Sequence, residues 1–240
     1  MPNLESVETR WIELFDELCR VHEIDRAQIA APFLSVPATE ARSLLYVGKA
    51  TAKDWYRHDF CSQSPLVSNK ESMKKRREQR RECTKTFLIK DAPDYNSGFW
   101  HFARELNTEA AKKWNQRVAS PFQHVAWTNI CKIGALKGNP RGFLLEKQRE
   151  IAIETLRLEI DLYRPQLICF VTWDYAFDLV KEVIGDPSDA SWNQKENKQW
   201  IWWRGATDRL PAILLTGHPE RKSTKIRKTW LKRVRYLLPD

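Results

Sequence analysis

Three short segments, each directly after an apolar run, hold side chains able to bind or act on a polar ligand. The first is Gly48-Lys49-Ala50-Thr51-Ala52-Lys53-Asp54, the second is Trp127-Thr128-Asn129-Ile130, and the third is Gly217-His218-Pro219. Asn129 carries a donor and an acceptor on one planar amide, free either to read a ligand edge or to satisfy strand-end backbone. His218 either serves a ligand or caps its own loop. Lys49 and Lys53 suit phosphate better than proton chemistry, and Thr51 is a hydroxyl able to orient water. Asp54 is an exposed aspartate or a helix cap on one reading and a base on another. Ser223 and Thr224 stand just before a closing helix, whose N-terminus would favour a phosphate, with Arg221 and Lys222 adding charge beside it.

The charge balance points the same way. The net charge is +9 and the excess is uneven. Lys70–Lys90 holds nine Lys or Arg against three Glu, and Glu220–Arg235 holds eight basic residues against one acidic. One such run reads equally well as a solvated helix face; two in one chain favour a polyanionic partner. Trp192, Trp200, Trp202 and Trp203 offer rings for base stacking, although core packing accounts for most of such a cluster. Several classes are disfavoured. No apolar run approaches the ~18 residues of a membrane span, and the N-terminus lacks the pattern of a secretory signal. The five cysteines are dispersed without a C-x-x-C pair, which suits reduced thiols in a cytoplasm better than disulfides, zinc or an iron–sulfur cluster. There is no G-x-S-x-G elbow and no phosphate-cradling G-x-x-x-x-G-K-[ST] loop.

The elements that must position these segments are legible from periodicity. Residues 4–20 place Leu4, Val7, Trp11, Leu14, Phe15 and Leu18 on one helical face. Ser43–Gly48, a continuous apolar run ended by glycine, fits a strand covered on both sides. Residues 49–98 are polar and basic, with 70–83 expected as an exposed helix or insertion. Phe99–Leu106 predicts a helix and His124–Ile130 a strand. A helix opening near Pro140 runs to Tyr163 with Leu144, Ile151, Leu158 and Leu162 among its apolar positions; Arg164-Pro165 ends it. Gln166–Thr172 follows as a strand, then a helix over Asp174–Ile184. Trp200–Trp203 and Pro211–Thr216 predict two more strands, and Lys225–Leu238 a basic helix. Alternating strands and helices imply a three-layer α/β/α sandwich around a mainly parallel sheet. Ligands in such sheets bind where strand ends open into loops, which are the three segments above. At 240 residues one domain suffices: an N-terminal helical segment over 1–40, a core over 41–240, and a basic insertion over 68–90.

The ordered set of pieces resembles the uracil-DNA glycosylase superfamily. Gly217-His218-Pro219 between the last strand and a basic helix is similar to its "HPS" motif. Trp127-Thr128-Asn129-Ile130 looks like the segment whose asparagine reads the uracil edge. Asn96-Ser97-Gly98-Phe99-Trp100 is similar to the "GNRFW" segment of its mismatch-specific and single-strand-selective branches. The long helix ending in Tyr163-Arg164-Pro165 before an apolar strand matches the common punctuation, and together the pieces span roughly residues 43–240. The first loop departs from the pattern. Ala50 stands where one branch has aspartate and others asparagine, Lys49 where the iron–sulfur branch has glutamate, and that branch's cysteine ligands are absent. Alanine does occur at the Ala50 position in the thermophilic branches. Asp54, or failing it Asp59, is the nearest substitute carboxylate.

The resemblance implies a DNA-repair-type glycosylase, free of metal and other cofactors, that removes uracil or another deaminated base from single- or double-stranded DNA or another nucleic acid. Such a site takes the base out of the stack and stabilises opposite charges developing on sugar and base. It implies His218 as donor to the base carbonyl, Asp54 as the water-positioning base, and Asn129, Phe99, Gly48 and Ala50 around the base. Phe99 would be the stacking ring, with Trp100 in the core. Lys49, Lys53, Arg221, Lys222 and Ser223 would meet phosphate. The missing carboxylate keeps open a superfamily member that binds nucleic acid or a nucleotide without cleaving it.

Overall fold

The computed structural model describes residues 3–20, 38–39, 42–50, 74–75, 77–78, 82, 84–135, 138–172, 175–186, 192–194, 201–207, 210–220 and 222–239. Among the described residues six strands, β1 (Leu44–Ala50), β2 (Val125–Cys131), β3 (Leu167–Phe170), β4 (Asn193–Gln194), β5 (Ile201–Arg204) and β6 (Ala212–Thr216), form one sheet of order β2-β1-β3-β6-β5-β4. β2, β1, β3 and β6 run parallel, and β5 and β4 extend the sheet antiparallel. The parallel strands are buried along nearly their whole length, which is why they read as unbroken apolar runs.

Alternation divides those runs between two cores. Leu45, Val47, Ala126, Ile168, Phe170, Ile213 and Leu215 face one side. There they meet α1 (Leu4–Arg20), α3 (Phe143–Tyr163) and α4 (Phe177–Ile184). Leu44, Tyr46, Val125, Trp127, Leu167, Cys169 and Leu214 face the other, where they meet α2 (Gly98–Lys113) and α5 (Thr224–Leu237). The molecule is therefore an α/β sandwich with helices on both faces of a mostly parallel sheet. On the first side Trp11 donates to Thr155 Oγ1 at 2.8 Å, tying α1 to α3. That side also encloses a charged cluster. The Lys132 ammonium, 2% exposed, lies 2.6 Å from the Glu159 carboxylate and also donates to Thr128, whose hydroxyl donates to Glu159 at 2.8 Å. A buried pair persists because each partner relieves the other's lost hydration.

Several expectations shift. α2 is a full turn and more longer than Phe99–Leu106, because Ala103, Leu106, Ala110 and Ala111 continue its buried stripe. The long helix begins at Phe143 rather than at Pro140, since Gly142 at φ 49° turns the chain into it. Leu162 repeats the buried Thr155 position one heptad on but lies in the last turn and is 57% exposed. A five-residue π-helical turn, Phe87–Asp91, precedes α2 and buries Phe87 and Leu88 in the α2 side. β4 had no sequence signal, being two residues long. Of the basic segment, Arg77 spends its guanidinium on Glu5 and Thr9 of α1.

Candidate functional site

The C-terminal ends of β1, β2 and β6 meet the N-terminus of α2. Gly48 and Asn129 are register partners on β1 and β2, and both face the α2 side. A β-carbon on Gly48 would collide with Asn129 Oδ1 and reach the Phe99 ring at 3.2 Å. These three residues thus form one contact, and glycine is what lets them close. Asn129 is 3% exposed, yet among the described residues its Nδ2 has no hydrogen-bond partner. A buried amide N–H left unmade costs on the order of 1–3 kcal/mol.

Phe99 is held from four directions. Tyr46, two residues before Gly48 and hence on the same face, packs its ring 4.7 Å from Phe99 and donates its hydroxyl to the Phe99 carbonyl at 3.0 Å. Trp100 and Trp127 meet the Phe99 ring edge-on at 4.9 and 6.4 Å. The fourth neighbour is His218, whose ring lies 5.7 Å away and within 21° of parallel. Burial drives the Tyr46 phenol well above its usual pKa, with Cys169, Glu220 and Glu105 adding to the effect. Tyr46 therefore stays a neutral donor.

The loop after β6 is pressed against α2. A β-carbon on Gly98 would meet the Pro219 carbonyl oxygen at 2.7 Å, so the first turn of α2 and the Gly217-His218-Pro219 loop touch backbone to backbone. Ser97 caps α2 by accepting from Trp100 N, and Ser223 caps α5 by accepting from Ile226 N at 3.4 Å. Both helices thus point their N-termini, with their partial positive charge, toward this end of the sheet.

His218 has a defined tautomer and charge. The Glu220 N–H donates to its Nδ1 at 3.3 Å, which leaves the ring proton on Nε2. Burial first, then the cations of Lys49 and Lys222, lower its pKa from 6.5 to about 4. At neutral pH it is an uncharged imidazole with its one ring N–H on Nε2.

The other expected residues divide. Lys49 alternates to the opposite side from Gly48, with Nζ 5.8 Å from the centre of the Tyr175 ring, although its charge still acts on His218. Ala50 ends β1 opposite Cys131 and packs on the α1/α3 side, away from Phe99. Lys222 is anchored by its backbone N–H to the Pro219 carbonyl at 3.2 Å. Ser223 spends its hydroxyl oxygen as the cap. Lys53, Asp54 and Arg221, like Thr51, Asp59 and Trp200, lie outside the described residues. Of the tryptophan cluster, Trp202 packs on one core and Trp203 on the other. Tyr46 lay outside the motifs, and Trp127 lay inside one without a role assigned to it; each sits two positions before a site residue on its strand, so the period of two was the available signal. Among the described residues no group of three His, Cys, Asp or Glu is placed to hold a metal ion. No helix among them is long and apolar enough to cross a membrane.

The residues brought together are the Phe99 ring, the buried Asn129 amide N–H and a neutral imidazole that feels the charges of Lys49 and Lys222. In comparisons with known proteins, no family model matches this chain and no curated protein matches it.

Proposed function

We propose that this protein is a divergent nucleic-acid glycosylase of the uracil-DNA glycosylase type, acting on uracil or another deaminated base in a cytoplasmic setting. One observation carries the reading: the neutral His218, the Asn129 Nδ2 that has no partner among the described residues, and the Phe99 ring are brought together from three separate segments. A site for phosphate alone has no use for such a set.

The chemistry follows from charge. As the N-glycosidic bond breaks, its electron pair passes to the base and negative charge collects on a carbonyl oxygen. A donor preorganised there lowers the barrier because nothing must reorient as charge develops. His218 Nε2–H is that donor, and Lys49 and Lys222 favour the anion. Asn129 pairs with the edge of the base, and Phe99 covers its face. Water then adds its oxygen to the sugar carbon and gives up a proton, the departing base takes up a proton from solvent, and an abasic site is left. The first loop, with Lys49 and Ala50 where active relatives of this type carry carboxylate or amide, favours a second reading: the same pocket recognises a base without releasing it.

Labelled single- and double-stranded oligonucleotides bearing uracil, hypoxanthine or xanthine, followed by alkaline cleavage of abasic sites, separate the two. Strand cleavage lost in His218→Ala and Asn129→Ala is the expected result. Retention of the oligonucleotides without any base release would replace the glycosylase with the binding reading.

A further inference from the structure

The labelled helices α1–α5 differ in charge between the two faces, the basic stretch that contains Arg77 aside. α1, α3 and α4 together carry six basic and twelve acidic side chains, whereas α2 and α5 carry nine basic and two acidic. α5 itself holds six Lys or Arg and no acid. Like charges one turn apart destabilise a helix by a few tenths of a kcal/mol per pair, so packing alone gives no reason to gather them.

A groove of about 480 Å³ runs between α2 and α5. Its α5 wall presents Lys228, Lys232 and Arg235, and its α2 wall presents Arg104 and Lys112. The two acids in the groove are already engaged: Glu109 by Arg235 and Lys112, and Glu105 by Arg227. Lys228 and Lys232 are exposed and, among the described residues, make no ion pair or hydrogen bond. With Lys225 they form a stripe at i, i+3, i+7 and i+10 that ends on Arg235. At 1.5 Å per residue the stripe is roughly 15 Å long, about four phosphates of one duplex strand at ~3.4 Å each. Both helices begin at the end of the sheet that carries the candidate site, so the groove runs from that end away from it.

We infer that the α2–α5 groove is a track for the sugar–phosphate backbone of the strand whose base enters the site. The inference rests on the reading of the ligand as a nucleic acid. It adds Lys228, Lys232 and Lys112 to the binding surface, with Arg104 held in the wall by the Ala92 and Pro93 carbonyls, and assigns the strand a direction along α2 and α5.

The test is salt-dependent fluorescence anisotropy with a single-stranded oligonucleotide that carries no deaminated base. Lys228→Ala/Lys232→Ala removes two contacts. The slope of log K against log salt should fall by about 1.4, and affinity at 0.1 M salt by about 25-fold relative to a 1 M reference. Lys147→Ala/Lys181→Ala, an equal charge change on the opposite face, should leave both quantities unchanged. Equal losses in the two variants, or none in either, would overturn the track. Tighter capture of polyglutamate than of the oligonucleotide at matched charge would overturn it in favour of an acidic protein. Because the probe has no base to release, the track fails independently of the glycosylase reading. Base release with an indifferent groove refutes the track alone, and groove binding without base release refutes the glycosylase alone.

Discussion

The protonation of His218 is the sharpest consequence of the geometry. An ordinary histidine at pKa 6.5 is about one-quarter protonated at pH 7, whereas a pKa of about 4 leaves on the order of 0.1%. The unfolded chain binds this proton near pH 6.5 and the folded protein only near pH 4. Above pH 6.5 the ring is neutral in both states and contributes no pH dependence. Between pH 6.5 and pH 4 the unfolded state binds more proton, so stability falls as pH falls. The full loss is at most about 3 kcal/mol, and the ring's remaining contact with solvent lowers that ceiling.

Long-range ¹H–¹⁵N NMR on histidine-labelled protein reads both claims, with His218→Gln providing the assignment. The ring should show the Nε2–H tautomer and no titration between pH 8 and pH 5. Base release, where His218 is the donor, should be flat over the same range. Lys49→Met/Lys222→Met should raise the pKa yet leave it below 6.5, because burial is the larger cause. A titration midpoint above 6 in the parent protein, or an Nδ1–H tautomer, would refute the account. Full restoration to 6.5 in the double variant would show that the cations rather than burial set the value.

Two other perturbations test the frame around it. Gly48→Ala drives a methyl into Asn129 Oδ1 and the Phe99 ring; it should cost about 1–3 kcal/mol in denaturant unfolding and abolish base release while leaving the salt-dependent oligonucleotide binding intact. Lys132→Met strands the buried Glu159 carboxylate and should cost on the order of 3–5 kcal/mol, whereas Lys132→Met/Glu159→Leu should recover most of the loss. Additive losses in that double variant would show that the two groups do not act as a pair.

The parallel strands were legible because burial on both faces leaves an apolar run that nothing else in the chain imitates. α1 was legible because Val7, Trp11, Phe15 and Leu18 keep a helical period. Where the signal is short or conformational, it vanished. β4 is two residues long, and the π-helical turn at Phe87–Asp91 follows a basic stretch with no period of its own. In the site, loop position brought out Gly48, Asn129 and His218, and the resemblance brought out Phe99. What sequence alone did not convey is how they are held. The Tyr46 hydroxyl on the Phe99 carbonyl and the Gly98 backbone against Pro219 are contacts between residues more than fifty positions apart. No local pattern encodes them. Ala50 illustrates the converse: it occupies the expected place in the chain, yet the end of β1 carries it to the other core.

The site and the groove together favour a division of labour by charge. On the proposed reading, a neutral histidine that feels Lys49 and Lys222 stabilises negative charge on a base, whereas the same cations would oppose positive charge developing at the sugar. A glycosylase with this site therefore gains on the leaving group and loses at the sugar. A carboxylate at the sugar would offset the loss, and Asp54 is the residue that the sequence offers for it. If a strand follows the α2–α5 groove as inferred, its phosphates bring negative charge carried by the substrate itself. On that inference the strand is more than an address: its backbone would offset positive charge developing at the sugar. That makes a free nucleoside, which has the base and sugar but no phosphate, a poorer substrate than the same nucleotide in a strand by more than its loss of binding.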